Sequence, residues 1–155
     1  MTDVHHVAGP VKNNFLLHVT DTERGEKWLV DGGALLSIIP PTTQQRLQGP
    51  NSTKLKAANG SDIACFGHET RTITIGTQSF VFDFVIADVK LRILGADFLA
   101  KNYLAPNHRD ALLINLEDFS TLPAEHAHGI THSPVNFVHQ IDDPIISCWI
   151  HIQIY

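Results

Sequence analysis

The sequence predicts a mainly β protein with one short helix, folded as one domain and followed by a tail. Short apolar segments rich in β-branched and aromatic residues recur along the chain, separated by turns that contain glycine or asparagine. The chain has 155 residues, of which 43% are hydrophobic, and this suits a single globular domain. Only the segment from Ala96 to Asn102 reads as a regular helix.

The pattern of side chains supports the individual strands. The predicted strands lie at 15–20, 28–30, 36–39, 69–75, 78–86, 91–94 and 111–116, with a further hairpin over 55–66. Ile73 and Ile75 alternate with threonines, and the three phenylalanines of 80–84 share one face, so this face should belong to the core. Thr42 is predicted to cap a short helical turn that ends near Leu47.

Asp31 lies in the turn that the sequence marks most strongly. The apolar segment Trp28–Val30 precedes it, Gly32 and Gly33 follow, and Leu36–Ile39 resumes a strand. A carboxyl group surrounded by this much apolar sequence costs free energy unless it is hydrogen-bonded or shares a proton. Asp31 is therefore the first candidate for a reactive side chain.

Two later segments are also distinctive. Asn59 and Gly60 predict a two-residue hairpin turn, because both positions of such a turn require positive φ. Gly95 separates an apolar strand from the predicted helix and should permit close contact between the helix and the sheet. Asp97 falls in the first turn of that helix, where a negative charge is favourable.

Together these segments resemble the active-site loop, the flap and the glycine turn of retropepsin-like aspartic proteases, in particular those of gypsy-type retrotransposon polyproteins. The sequences that carry the resemblance are 28–40, 54–63 and 86–99, within a region that extends from about 15 to 116. The resemblance implies an acid protease barrel that is active as a two-fold dimer. One Asp31 from each subunit would activate a water molecule, without a metal or other cofactor.

The resemblance also implies where an extended peptide or polyprotein segment would bind, as a strand between the flap and the Asp31 turn. The residues assigned to substrate binding are Gly33, Ala34, Leu36, Ala58, Asn59, Gly60 and Ile93. The first two would contact the substrate main chain from below, the flap residues would contact it from above, and Leu36 and Ile93 would wall the subsites. Each of these residues could equally have a structural role.

Gly32 departs from the family pattern, which has threonine or serine directly after the catalytic aspartate. In the family this hydroxyl group hydrogen-bonds across the two-fold axis, so its loss removes two symmetric bonds worth roughly 1 kcal/mol each. An alternative is therefore a catalytically impaired relic that only binds peptides or dimerises. A third interpretation, an all-β interaction domain unrelated to proteases, leaves the three matching segments as coincidence.

Composition argues against two further classes of function, the binding of nucleic acid and the binding of metal ions. A net charge of -5 without a cluster of lysines and arginines argues against binding to nucleic acid. Cys65 and Cys148 are far apart and form no disulfide or zinc framework, which fits a reducing compartment. His126, His128 and His132 lack a carboxylate or thiol at a recognisable metal-ligand spacing, so no metal site is expected.

The sequence divides into a flexible lead at 1–14, a protease-like domain at 15–118 and a tail of unknown structure at 119–155. The lead lacks the apolar segment of a signal peptide, and no apolar segment is long enough to span a membrane. We therefore expect an intracellular protein without a membrane partner, in the cytoplasm or within retroelement particles. Within the tail, 150–154 alternates as an edge strand would.

Overall fold

The computed structural model describes residues 15–57 and 59–127, and the backbone of 137–138. The predicted lead at 1–14, Ala58, Cys148 and the strand-like segment 150–154 lie outside the described residues. The strands are β1 (Leu17–Thr20), β2 (Lys27–Val30), β3 (Ile38–Ile39), β4 (Lys54–Ala57), β5 (Asp62–Ile75), β6 (Gln78–Ala87), β7 (Arg92–Leu94), β8 (Leu104–Asn107), β9 (Leu112–Asn115), β10 (Thr121–Pro123), β11 (Glu125–His126) and β12 (Phe137–Val138). The helices are α1 (Thr43–Gln48) and α2 (Ala96–Lys101).

Most of the strands in the described part of the chain form one sheet, in the order β11-β1-β2-β7-β3-β6-β5-β4-β12. The strands β10, β9 and β8 form a second, antiparallel sheet. Strand β7 lies between β2 and β3, so Ile93 is opposite both Leu29, in a parallel pair, and Ile38, in an antiparallel pair. The turn from β2 to β3, which contains Asp31, must therefore cross the end of β7.

The main core lies between the long β5–β6 hairpin and the strands around β2. Trp28 and Phe84 are fully buried, and their ring centroids are 4.9 Å apart. Phe98 from α2 packs edge-on against Phe82 at 5.3 Å. Each such side chain contributes about 1.5–3 kcal/mol through burial, with a further increment from the ring contacts. The predicted core face of 80–84 is confirmed, because Phe80 also packs against this cluster.

Helix α1 begins where the sequence predicts. The Thr42 hydroxyl accepts the Gln45 N–H at 3.2 Å, and the Gln45 side-chain oxygen accepts the Thr42 N–H at 2.8 Å. These reciprocal bonds form a capping box that satisfies donors otherwise unpaired at a helix start. The sequence predicted one regular helix, and the described residues contain two, because α1 is a regular helix in addition to α2.

The strand predictions were wrong at four points. The second strand of the 55–66 hairpin and the strand at 69–75 form one continuous strand, β5. The strand expected at 36–39 is reduced to Ile38–Ile39, because the Ser37 N–H donates to a side chain instead of a neighbouring strand. Strand β8 contains Pro106 and was missed. Strands β10 and β11 were also missed, and they pair with β9 and β1 respectively.

Both of these later strands follow residue 118, where the sequence places the end of the protease-like domain. The division into three regions nevertheless stays a prediction. Within the described ranges, no helix is both long and apolar enough to cross a membrane.

Candidate active site

Asp31 lies at the start of the turn between β2 and β3, which we call the Asp31 loop (residues 31–37). Its N–H donates to the Leu94 carbonyl at 3.0 Å, which fixes the beginning of the loop to strand β7. Its side-chain Oδ1 accepts the N–H groups of Gly33 at 2.9 Å and Ala34 at 3.2 Å. The carboxyl group is therefore held in one orientation by backbone donors.

Burial raises the pKa of Asp31, and the hydrogen bonds from the Gly33 and Ala34 N–H groups partly oppose this effect. The net direction is upward because loss of solvation penalises the charged carboxylate more than the two donors stabilise it. A carboxyl group with a raised pKa retains its proton at a pH where an exposed aspartate is ionised. This property suits an acid that must share one proton with a second acid.

The other end of the loop is tied to the start of α2 by side chains. Ser37 is completely buried, and its Oγ accepts the Gly95 N–H at 2.8 Å and donates to Asp97 Oδ1 at 2.6 Å. The Ser37 N–H donates to Asp97 Oδ2 at 3.0 Å. Backbone bonds add to this contact, since the Ala34 carbonyl accepts the Ala96 N–H at 2.7 Å. The loop therefore has little freedom to move relative to β7 and α2.

The sequence did not predict this contact between Ser37 and Asp97. Asp97 was expected only to favour the helix start, which it also does by accepting the Phe98 N–H at 2.7 Å. The available signal was a lone serine within the apolar segment 35–39, where a buried hydroxyl group needs a partner. The sequence could not supply that partner, because Ser37 and Asp97 are 60 residues apart.

Gly95 allows the backbone to approach the Asp31 loop closely. A Cβ atom at this position would lie 2.6 Å from the Leu36 carbonyl oxygen and 2.8 Å from that of Ala34. Its φ of -89° is open to any residue, so steric space rather than backbone conformation requires glycine. The sequence predicted a close contact between helix and sheet at Gly95, and the closest contacts are made to the Asp31 loop instead.

Apolar side chains form the surroundings of the loop. Ala34 and Ile93 are buried in one small cluster, against which Ile63 and Val89 pack. Leu36 packs against a neighbouring cluster that includes Ile38 and Leu55, and Ile63 contributes there as well. The structure thus brings predicted residues Ala34, Leu36 and Ile93 together, and Gly33 joins them through its bond to Asp31. Ile63 was not predicted to belong to this group.

The hairpin of β4 and β5 is present, with Leu55 opposite Ile63. Its turn differs from the prediction. The Ala57 N–H donates to the Ser61 carbonyl and the Gly60 N–H to the Ala57 carbonyl, each at 2.8 Å, so the loop contains three residues. Gly60 has φ of 81°, and the Asn59 side chain accepts the Ser61 N–H at 3.0 Å. The two-residue Asn-Gly turn was therefore wrong.

Asn59 and Gly60 are exposed, and their described contacts lie within their own hairpin. The strands of the hairpin lie closer to the candidate site than its turn does. Leu55 and Ile63 pack in the same cluster as Leu36. Roles for Asn59 and Gly60 in substrate binding stay predictions, and Ala58 lies outside the described residues.

Gly32 is exposed and has room for a side chain. A Cβ atom there would meet only Leu99 Cδ1, at 3.9 Å, which is an ordinary van der Waals distance. Its φ is outside the positive range that favours glycine. Among the described residues of one subunit, the contact with Leu99 leaves room for serine or threonine at this position.

The described residues contain no group of three or more histidine, cysteine, aspartate or glutamate side chains arranged to hold a metal ion. His126, one member of the histidine series considered above, instead contacts the His108 carbonyl through Nε2 at 2.8 Å. His128 and His132 fall outside the part of the chain that the structure describes. Cys65 is a buried free thiol in β5, packed against Ile38 and Leu55.

The sequence matches no protein-family model, and it matches no curated protein. Among solved structures, the chain is similar to the crystal structure of the retroviral protease-like domain of Ddi1 from Leishmania major. The TM-score is 0.52, the sequence identity is 19%, and the match covers 71% of this chain and 94% of that chain.

The chain has a retroviral protease-like fold. The predicted retropepsin-like, mainly β architecture is thereby confirmed, and a likeness at this level of identity concerns the fold alone. Origin from a gypsy-type element stays a prediction.

Proposed function

We propose that this chain is an aspartic endopeptidase that hydrolyses peptide bonds as a homodimer, with Asp31 of each subunit in the catalytic pair. The observation that carries the proposal is the orientation of Asp31 by the Gly33 and Ala34 N–H groups, at 2.9 and 3.2 Å, within a retroviral protease-like fold. Polyprotein processing for a retroelement is the biological role that the sequence resemblance favours.

The need for two subunits follows from the chemistry. Hydrolysis through paired carboxylic acids requires one ionised and one neutral group beside the same water molecule. Asp97 also contacts the loop, but both of its oxygens are engaged, by Ser37 Oγ at 2.6 Å and the Ser37 N–H at 3.0 Å. A second Asp31, supplied by an identical subunit across a two-fold axis, is the simpler source of the missing acid.

In this mechanism the ionised Asp31 accepts a proton from water while the neutral one hydrogen-bonds the scissile carbonyl oxygen. The water oxygen attacks the carbonyl carbon, and the neutral Asp31 gives its proton to the carbonyl oxygen. The Asp31 that took the proton from water then donates it to the amide nitrogen as the C–N bond breaks, and the other Asp31 regains its proton from a hydroxyl group of the intermediate, which leaves a carboxylic acid and an amine. Two carboxyl groups about 3 Å apart do not both ionise readily, so the pair titrates in two separated steps. Burial already raises the pKa of Asp31 in one subunit. As the pH rises, the pair should therefore keep its one shared proton up to mildly acidic pH.

The substrate in this proposal is an extended peptide. Gly33 and Ala34 would contact its main chain from below, and Ala58, Asn59 and Gly60 would close over it from above. Leu36 and Ile93 would line the subsites, and because Ile63 and Val89 pack beside them, apolar substrate side chains fit there best.

The alternative is a module that folds and binds peptides or dimerises without cleaving them. Gly32 favours this alternative, because the chain lacks the hydroxyl group that joins the two loops in related proteases. A peptide-library assay at about pH 5, with the products read by mass spectrometry, separates the two functions, since mildly acidic pH favours the singly protonated pair. Cleavage that is lost when Asp31 is replaced supports the enzyme, and binding without cleavage supports the alternative.

Gly32→Thr is expected to tighten the dimer. The substitution restores one hydroxyl group per subunit in a position with space for it, where the nearest contact of a Cβ atom is 3.9 Å. Two buried hydrogen bonds of roughly 1 kcal/mol each would lower the dimer Kd about 10- to 30-fold. Sedimentation equilibrium measures this change, and turnover per dimer should rise with it.

Gly32→Val is the matched control, because valine has the shape of threonine without the hydroxyl group. It should leave the dimer no tighter than the wild-type chain. Equal Kd values for the threonine and valine variants would show that hydroxyl groups at this position do not join the two loops.

A further inference from the structure

The Asp31 loop is fixed at both ends, but by different kinds of contact. At its beginning, the bond between the Asp31 N–H and the Leu94 carbonyl, at 3.0 Å, involves only the backbone. At its end, the Ser37 N–H and hydroxyl group both donate to the carboxylate of Asp97, at 3.0 and 2.6 Å. Backbone bonds also hold this end, since the Ser37 carbonyl accepts the Val85 N–H at 3.1 Å and the Leu35 carbonyl accepts the Asp97 N–H at 3.2 Å. The Asp97 carboxylate adds the side-chain contacts at the end of the loop.

Ser37 is completely buried, so the partners of its polar groups matter more than they would at the surface. Its N–H donates to Asp97 instead of to a neighbouring strand, and strand β3 begins only at Ile38. Its Oγ also satisfies the Gly95 N–H at 2.8 Å. Removing the Asp97 carboxylate would leave a buried N–H without its acceptor and would free the hydroxyl group that holds Gly95.

We propose that Asp97 is a positioning residue for Asp31, acting through Ser37 to hold the loop so that the Gly33 and Ala34 N–H groups point at the Asp31 carboxyl group. The inference rests on the proposed function, because it assigns Asp97 a role in the same reaction. Asp97 touches neither the substrate nor the water molecule in this scheme. Ala34 connects the two ends, since its N–H contacts Asp31 and its carbonyl accepts the Ala96 N–H at 2.7 Å.

The expected consequence is a change in how Asp31 titrates. The influences on its pKa within the described subunit are burial, which raises it, and the N–H groups of Gly33 and Ala34, which lower it. A loosened loop weakens the two lowering contacts, so the pKa of Asp31 should rise further. In a dimer, Asp31 of the partner subunit also raises the pKa, but it does so in the wild-type and variant proteins alike. The difference in pKa between the two proteins therefore still reports on the loop.

Asp97→Asn tests the proposal with little change in shape. The amide oxygen still accepts the Ser37 hydroxyl group, but the amide NH₂ then faces the Ser37 N–H, donor against donor. Asp83→Asn is the matched control, because Asp83 is exposed on the outer face of β6 and contacts only surface groups, His68 at 3.3 Å and Thr70 at 3.3 Å. Carbon NMR of selectively labelled aspartate follows the Asp31 carboxyl group through the titration without requiring activity.

Asp97→Asn should move the Asp31 titration midpoint upward, and Asp83→Asn should leave it unchanged. At about pH 5, kcat should fall about 10- to 100-fold while KM changes by less than about twofold, because positioning acts on the chemical step. An Asp31 midpoint equal to that of the wild-type protein in a folded Asp97→Asn variant would overturn the proposal.

A second pair of variants covers the case in which Asp97→Asn does not fold. Ser37→Ala removes only the hydroxyl group and should raise the Asp31 midpoint, whereas Ser37→Thr retains it and should restore wild-type titration. Identical midpoints in these two variants would also overturn the proposal. If none of the proteins cleaves peptides but the midpoints shift as described, the proposed protease activity fails while the link from Asp97 to Asp31 stands.

Discussion

Asp31→Asn is expected to abolish peptide cleavage, lowering kcat by about 1000-fold or more, while the protein stays folded. An amide group neither accepts a proton from water nor shares one with a second carboxyl group, so both acid–base roles are lost together. The asparagine side-chain oxygen can still accept the Gly33 and Ala34 N–H groups that bind Asp31 Oδ1, so the loop should keep its shape. Cleavage of a peptide selected from the library measures the loss.

The same variant should be more stable than the wild-type chain at neutral pH. Burial raises the pKa of Asp31 in the folded chain above its unfolded value, so folding favours the protonated carboxyl group. The stability that this group contributes is present below the unfolded pKa and is lost as pH rises through the folded pKa. Asparagine does not ionise and avoids this loss.

The Tm of the Asp31→Asn variant should therefore exceed that of the wild-type chain at pH 7, and the difference should shrink towards acidic pH. Thermal melts across this range measure it. A variant that cleaves peptides at the wild-type rate would refute the mechanism, and a variant that is less stable at every pH would refute the role assigned to burial of Asp31.

Gly95→Ala is expected to destabilise the fold by about 3 kcal/mol or more, because the added methyl group would overlap backbone atoms. The new Cβ would lie 2.6 Å from the Leu36 carbonyl oxygen, 2.7 Å from the Leu36 carbonyl carbon and 2.8 Å from the Ala34 carbonyl oxygen. Backbone atoms do not move aside as the end of a flexible side chain would. The Asp31 loop must therefore shift away from α2 and lose the Gly95 N–H to Ser37 bond of 2.8 Å.

Gly32→Ala is the control for this substitution. It makes the same chemical change in the same loop region, but its Cβ would meet only Leu99 Cδ1, at 3.9 Å. Its free energy of unfolding should stay within about 0.5 kcal/mol of the wild-type value. Denaturant unfolding monitored by tryptophan fluorescence gives the free energy of unfolding of both variants. Equal unfolding midpoints for the two variants would show that the contact between Gly95 and the loop is not tight in solution.

The sequence predicted the parts of the fold that depend on local patterns. Asp31 between two apolar strands, the capping residue Thr42 and the apolar face of 80–84 could all be identified, because turn chemistry, helix capping and alternation act over a few residues. The fold class followed from these patterns and from the order of three short segments.

The remaining features depend on contacts between distant segments. Ser37 looked like a strand residue, and its bonds to Asp97 became evident only when β7 was seen to lie between β2 and β3. Strand β8 contains a proline and β11 has only two residues, so neither carries a strand pattern of its own. The turn at Asn59 followed its side-chain bond to Ser61 instead of the general preference of Asn-Gly pairs.

These misses share a physical cause. Each of the features is stabilised by a partner that is brought into place by the rest of the fold, so its own residues carry only a weak signal. The candidate site shows the same division, since the sequence proposes Asp31 and Ala34 as site residues but does not predict the Ser37–Asp97 contact. Residues that orient a reactive group through others are harder to predict than the group itself.

The most direct test of the two-subunit mechanism uses mixed dimers. Wild-type and Asp31→Asn chains are combined in varying ratios at constant total concentration, allowed to exchange subunits, and assayed for peptide cleavage at about pH 5, where the singly protonated pair is favoured. If each active dimer needs Asp31 from both subunits, activity falls as the square of the wild-type fraction. A linear decline, or no cleavage even by the undiluted wild-type chain, would contradict the two-subunit mechanism.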